Sequence, residues 1–217
     1  RLVSSAASDV YKRQEQTNRI IIKIGSALLF NETSGSLNKE WLNSLAEDVK
    51  YLRENDKEVI IVSSGAIAMG AKDLDLDMKN MKMDMNQAVS AVGQIHLMGS
   101  FKSAFEKNEI KISQILLTLD DTEQRRRSIN ARRTIDTLLK LGIVPVVNEN
   151  DTIATSEIRY GDNDRLASRV AQITSADCLI LLSNINGLYS ADPSTDEDVK
   201  LINLSLIHIS EPTRHDR

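Results

Sequence analysis

The apolar positions of this chain change period repeatedly. Arg19-Ile20-Ile21-Ile22-Lys23-Ile24-Gly25 is a short apolar run closed by glycine and predicts a buried strand. Trp41, Leu42, Leu45, Val49 and Leu52 recur at helical spacing and predict a helix from about Asn38 to Asn55. Glu58 to Val62 predicts a second strand that runs into Ser63-Ser64-Gly65-Ala66. Val89, Val92 and His96, taken as one face, predict a helix from about Met85 to Lys107, and Lys111 to Thr118 reads as a strand. Asp121 with Gln124 resembles a capping box, opening a helix whose apolar face is Ala131, Ile135, Leu138 and Leu139. Gly142 ends that helix and Ile143 to Val147 forms the next strand. Asp164 to Thr174 returns to the helical period through Leu166, Val170 and Ile173, and Cys178 to Leu182 is the last predicted strand. This alternation predicts an α/β, three-layer sandwich with a mainly parallel central sheet and helices on both faces. No Pro/Gly linker or internal repeat interrupts it, so a single domain is expected.

Composition narrows the picture. With 217 residues, 41% of them hydrophobic, the chain can bury a full core. A net charge of −4 gives no footing for nucleic acid or an anionic membrane as partner. The one tight basic run, Arg125-Arg126-Arg127, falls in a helical pattern, where a solvated face is its ordinary role. Cys178 precedes Leu179-Ile180-Leu181-Leu182 and reads as a small buried residue rather than a nucleophile. A lone cysteine allows no disulfide within the chain, which suits a reducing cytosol and a cytoplasmic protein. His96, His208 and His215 lack metal-ligand spacing, and no apolar run is long enough to span a bilayer.

The two ends read differently from the middle. Segments 1–14 and 204–217 lack sustained periodicity and resemble peptides translated from sequencing-library adapter DNA. They are expected to be non-native, leaving 15–203 as the natural stretch, one domain fragment.

Four clusters carry candidate chemistry. Val144-Pro145-Val146-Val147-Asn148-Glu149-Asn150-Asp151 is an apolar run ending in a polar group, followed closely by Gly161-Asp162-Asn163-Asp164. Together they bring Asp151, Asn163 and Asp164 to the end of a buried strand, where open α/β sheets bind ligands. Asn, Asp and Gly are also ordinary turn residues; two such clusters joined by Ala154-Thr155-Ser156-Glu157-Ile158 favour a site. In Lys23-Ile24-Gly25-Ser26, a lysine inside a buried strand is costly unless its ammonium meets an anion. Gly25 and Ser26 behind it let backbone N–H groups approach a phosphate; the alternative is a snorkelling surface lysine. Ser63-Ser64-Gly65-Ala66-Ile67-Ala68 is strand, small residues, then helix, an arrangement whose free N–H groups bind carboxylate or phosphate. It matches neither G-x-G-x-x-G nor a Walker A sequence.

In this order, at the ends of successive strand units, the four clusters resemble the amino-acid kinase family. The likeness takes in Ala91-Val92-Gly93-Gln94, Asn130-Ala131-Arg132 and Gly187-Leu188-Tyr189-Ser190-Ala191-Asp192-Pro193, and runs across nearly all of 15–203. The paired acidic loops are most similar to those of members that use glutamate as acceptor. This resemblance implies ATP-dependent phosphorylation of the L-glutamate γ-carboxylate to glutamyl 5-phosphate, the first step of proline biosynthesis. It implies ATP and Mg2+ as cofactors, proline as a candidate feedback inhibitor, and a homo-oligomer in the complete protein. Residue by residue, it places Lys23 at the transferred phosphate, with Gly25 and Ser26 beside the nucleotide. Ser64, Gly65, Ala66, Asp151 and Asn163 fall at the substrate, and Asp164 orients the catalytic lysines. Ser183 and Asn184 fall at the nucleotide, where many members carry Thr-Asp. No metal ligand is assigned. The family's later Gly-Gly-Met-x-Thr-Lys segment, with a second catalytic lysine, is absent from the sequence, as is the C-terminal RNA-modifying-enzyme-like domain of many members. A truncated product with little or no turnover is therefore expected.

The chemistry agrees on independent grounds. A γ-carboxylate with a pKa of about 4.3 is already ionised at neutral pH and needs no general base. Bringing two anions together needs positive charge and positioning. Three alternatives stay open: a relative acting on acetylglutamate, carbamate or uridylate, a non-catalytic protein holding glutamate or proline, and a structural Rossmann-like module that binds neither. The absence of basic side chains in the acidic loops speaks against a nucleotide acceptor.

Overall fold

The computed structural model describes residues 17–30, 36–78, 81–154, 162–184, 187–190 and 199–202. The terminal segments 1–14 and 204–217, Gly161, the 155–160 connection and Ala191-Asp192-Pro193 lie outside the described residues. The chain divides into two compact units, 1–183 and 184–217.

In the first unit, five strands form one parallel sheet: β1 (Arg19–Ile24), β2 (Glu58–Val62), β3 (Ile112–Leu117), β4 (Val144–Glu149) and β5 (Cys178–Leu182). Their order across the sheet is β3-β4-β2-β1-β5. Ile20 lies opposite Val59 on one side and Cys178 on the other, which centres the isoleucine-rich β1 between two parallel neighbours. Helices cover both faces, as predicted. They are α1 (Ser26–Leu29), α2 (Lys39–Glu54), α3 (Ala66–Asp73), α4 (Met83–Glu106), α5 (Leu119–Glu123), α6 (Arg125–Lys140) and α7 (Asp162–Thr174).

Strand alternation sorts the core into two halves. Ile20, Ile22, Ile24, Val59, Ile61, Val144 and Val146 pack on α2 and α4, through Leu42, Leu45, Val49, Leu97, Phe101 and Phe105. Ile21, Ile60, Val62 and Val147 face the other way, against Ala131 and Ile135 of α6 and Leu166 and Val170 of α7. Ile21 and Ile60 are wholly buried; truncating either to alanine should cost about 2–5 kcal/mol. The same alternation puts Lys23 on the α7 side and Asn148 on the α4 side.

Ends of elements are set locally. Asn38 caps α2 by accepting the Trp41 N–H at 3.2 Å, and α6 stops before Gly142, whose φ is +71°. α3 and α4 cross in direct backbone contact: a Cβ on Gly93 would overlap the Ala66 carbonyl, and one on Gly70 the Val89 carbonyl. This packing explains the Ala91-Val92-Gly93-Gln94 motif. At the amino edge, Arg19 donates to Glu58 (2.7 Å), Asp136 (2.8 Å) and the Thr174 carbonyl (2.5 Å). Burial alone would lower its pKa, but the bonds and charges of Glu58 and Asp136 outweigh that and leave it raised.

Four expectations need correction. The capping box sits three residues earlier than predicted: Thr118 and Asp121 cap each other, and a short helix, α5, precedes a break at Gln124. Thr118 hydroxyl and N–H both bond the Asp121 carboxylate, a closer fit than a glutamine three residues on could make. The buried face of α4 is Val89, Gly93, Leu97 and Phe101, not Val89, Val92 and His96. His96 is half-exposed and meets Asp73 at 3.2 Å; α4 is packed on more than one side, which blurs its period. β4 continues two residues past Val147, so Asn148 and Glu149 are buried strand residues rather than loop. Finally, β5 is not the last described strand.

In the second unit, β6 (Leu188–Tyr189) pairs antiparallel with β7 (Leu201–Ile202). The pair is closed by Ser190 and Lys200, whose N–H groups bond the Lys200 carbonyl and Ser190 Oγ, each at 3.0 Å. Two-residue strands leave no period for sequence to reveal. Among the described residues, no helix is long and apolar enough to cross a membrane.

Candidate active site

All five strands of the sheet run the same way, so the clusters singled out at their ends meet along one carboxyl edge. Lys23 is the penultimate residue of β1. Its position on the α7 face lets the ammonium pair with Asp164, Nζ to Oδ1 at 2.6 Å, with the lysine side chain 13% exposed and the aspartate 50%. The stem does not snorkel away: a Cβ on Gly25 would lie 4.0 Å from Nζ, so the ammonium stands over the strand end. The Gly25 N–H is already given to the Leu182 carbonyl at 3.0 Å. Gly25 therefore serves the close approach of β1 to β5, and any phosphate contact at this turn falls to Ser26 and the amides after it.

The turn after β2 supplies donors. Gly65 caps α3 with φ +94°, a left-handed conformation that glycine adopts freely. A side chain here would also collide with the Phe30 ring. The first N–H groups of α3, beginning at Ala66, have no acceptor within the helix. Ser64 Oγ donates to the Ile24 carbonyl at 2.7 Å, tying the ends of β1 and β2 together.

Beyond β4, Asp151 opens a 3-10 turn, Asp151–Ile153, and is 8% exposed. Its Oδ2 accepts the Ser90 hydroxyl of α4 at 2.5 Å. Asn148 Oδ1 accepts the Glu149 N–H at 2.9 Å, which fixes which end of that amide is oxygen. Asn148 Nδ2 must then be the donor to Gln94 Oε1, at 3.2 Å. Asn163 Nδ2 approaches the same Asn148 oxygen at 3.5 Å, leaving Asn163 Oδ1 a buried acceptor with no partner among the described residues. Asp151 and Asn163 thus both offer oxygen. That arrangement suits a cationic donor group, since a buried carboxylate and a buried lone acceptor are each stabilised by one.

Of the predicted residues, the structure brings together Lys23 with Asp164, Ser64 with the end of β1, and Asn163 with the end of β4. Ser183 follows β5 and is exposed; Asn184 belongs to the second unit. Sequence reading gave no role to Ser90, Gln87, Gln94 or Asn148. The available signal was three polar residues at helical spacing within an otherwise apolar face. Cys178 is part-buried and its thiol is pushed up by burial and by Asp177, which leaves it a poor nucleophile. Arg125, Arg126 and Arg127 are solvent-facing, as expected. Among the described residues no group of three His, Cys, Asp or Glu could hold a metal by itself.

A parallel sheet with a lysine–aspartate pair and a donor turn along its carboxyl edge is an open α/β arrangement of the kind that binds ligands at that edge. The sequence matches the Amino acid kinase family over residues 18–211, and the chain belongs to that family. The glutamate 5-kinase of Pelagibacter ubique (strain HTCC1062) is 60% identical over 183 residues, covering 84% of this chain and 50% of its own length. The glutamate 5-kinase of Rhodospirillum rubrum is 54% identical over 182 residues, covering 84% of this chain and 48% of its own. The chain spans about half the length of the curated relatives it matches. Among solved structures, the T. acidophilum isopentenyl phosphate kinase product complex superposes with a TM-score of 0.57 at 16% identity, covering 84% of this chain and 77% of that one. UMP kinase from Bacillus anthracis gives 0.55 at 14% identity, covering 85% and 72%. At these identities the two structures bear on the fold alone.

Proposed function

We propose that the whole protein transfers the γ-phosphoryl group of ATP to the γ-carboxylate of L-glutamate. A carboxylate oxygen forms the new bond to phosphorus as the bond to the leaving ADP oxygen breaks, giving ADP and glutamyl 5-phosphate. The observation that carries this reading is the Lys23–Asp164 pair at the carboxyl edge, 2.6 Å apart, in a chain 60% identical to a glutamate 5-kinase.

Each residue then has a task. Lys23 places positive charge where negative charge redistributes between donor and acceptor, and Asp164 holds its ammonium there. The first N–H groups of α3, with Ser64 setting the turn, receive a substrate anion. Asp151 and the Asn163 oxygen receive the α-ammonium. Ser26 and Ser183, at the ends of β1 and β5, are assigned to the nucleotide side. Mg2+ would supply charge neutralisation at the ATP phosphates, and the half-exposed Asp164 is the hard oxygen donor at this edge that would help hold it. Proline inhibition, a homo-oligomeric assembly and work in the cytoplasm belong to the same reading of the whole protein.

The test is hydroxylamine trapping in the protein extended to the length of its relatives. Glutamate with ATP should yield glutamyl hydroxamate, and N-acetylglutamate should yield little. Equal turnover with N-acetylglutamate, carbamate or UMP would overturn the reading. Glutamate binding without ATP turnover would place the protein among non-catalytic binders.

A further inference from the structure

Three polar residues of α4 reach the acceptor segment in reverse order. Gln87 Nε2 donates to the Ala154 carbonyl at 3.0 Å, Ser90 Oγ to Asp151 Oδ2 at 2.5 Å, and Gln94 Oε1 accepts from Asn148 Nδ2 at 3.2 Å. The spacing i, i+3, i+7 puts all three on one stripe of the helix. The stripe therefore grips the 148–154 segment at its end, middle and start. Ser90 is 2% exposed and Gln94 8%, within a face otherwise made of Val89, Gly93, Leu97 and Phe101. Buried polar groups on such a face carry a desolvation cost, visible at Gln94 Nε2, which has no partner among the described residues. Core packing alone would be served better by apolar residues of the same size.

We infer that Ser90 is a positioning residue for acceptor recognition, fixing the rotation of the Asp151 carboxylate before substrate arrives. The inference rests on the proposed glutamate kinase reading. A hydroxyl donating to an ionised carboxylate is a charge-assisted bond, shorter and stronger than a neutral one. It holds Oδ2 and so sets where the other oxygen points. A cationic group binding Asp151 then meets a carboxylate already oriented, which is the condition for a precise site.

The experiment is steady-state kinetics on the full-length protein carrying Ser90→Ala, Asp151→Asn, or both. Ser90→Ala should raise the glutamate KM roughly tenfold, equivalent to about 1.4 kcal/mol, with kcat and the ATP KM little changed. Ser90→Thr, which keeps the hydroxyl, should restore most of the affinity. In the Asp151→Asn background, adding Ser90→Ala should produce no further change, because the partner it acts through is already altered. An unchanged KM for Ser90→Ala, a fall in kcat instead, or full additivity with Asp151→Asn would overturn the inference while leaving the kinase reading intact. Absence of any glutamyl phosphate from the wild-type protein would remove the reading itself, and the inference with it. Melting temperatures of all variants separate a folding defect from a binding defect.

Discussion

On the α4 side of the carboxyl edge, polar groups are buried between a helix and a turn: Ser90 is 2% exposed and Asp151 8%. On the α7 side, the Lys23–Asp164 pair sits at 13% and 50% exposure. The first region has its geometry imposed by packing, with helices so close that two glycines carry the crossing. The second buries the lysine and keeps its aspartate partner in contact with solvent. A buried network holds one geometry, whereas a half-exposed pair leaves one partner able to rehydrate. Substitutions can break this contrast from either side.

The largest effect is expected from Gly93→Val. The new side chain would overlap the Ala66 carbonyl, which cannot yield without separating α3 from α4. Overpacking typically costs about 1–3 kcal/mol and more against rigid backbone, so urea unfolding should show a lowered midpoint or no folded protein. A midpoint equal to wild type would mean the crossing is looser than described. Next comes Lys23→Ala, expected to lower kcat of the full-length protein roughly 100- to 1,000-fold, as loss of one preorganised donor does elsewhere. Its melting temperature should move little, because the partner Asp164 is half-exposed and can rehydrate. A large drop in melting temperature with kcat per folded molecule intact would make the pair structural.

Asp151→Asn should raise the glutamate KM by roughly 30-fold or more, the lower end of what truncating a buried charge partner costs, with ATP affinity nearly unchanged. Discrimination against N-acetylglutamate should shrink in the same variant, since its penalty for a neutral nitrogen is gone. Unchanged preference in a well-folded variant would return Asp151 to the status of a turn residue. The smallest effect lies away from both regions. Asp177 accepts the N–H groups of Arg19 (2.8 Å) and Asn18 (2.9 Å), which hold its carboxyl below the ordinary 3.8. Its contribution is present at neutral pH and is lost as pH falls below 3.8 through the folded value. Asp177→Asn should flatten the acid side of a melting-temperature profile taken from about pH 6 to about pH 2; an unchanged profile would show that other groups govern it.

The five strands of the sheet, apart from the end of β4, the α2 boundaries and the two-sided burial were legible because each follows from short-range period and local caps. Asn38 and Asn55 bracket α2 as the pattern predicts. Lys23 and Asp164 could be picked out as unlike their surroundings, though their contact is a fact of topology. Ser90 was not legible. Its partner is 61 residues away, and a serine within an apolar stripe looks like a small filler until the strand order brings Asp151 beside it. The displaced capping box has a similar cause: Thr118 and Gln124 both sit three residues from Asp121, and only the backbone path decides which one caps. The extension of β4 through Asn148 and Glu149 escaped because polar residues in a strand interior read as its end.

Strand order also has a consequence in time. β1 precedes the other strands of the sheet in the chain, yet one of its edges is completed by β5; Arg19 and Asp177, which meet there, are 158 residues apart. At about 5–20 residues per second, a ribosome needs roughly 8–30 s to synthesise the intervening chain. During that interval the backbone N–H and C=O groups along one side of the isoleucine-rich β1 have no strand to bond. An unpaired apolar edge of this kind invites pairing between nascent chains. That edge of β1 is closed only once Cys178 to Leu182 leave the exit tunnel.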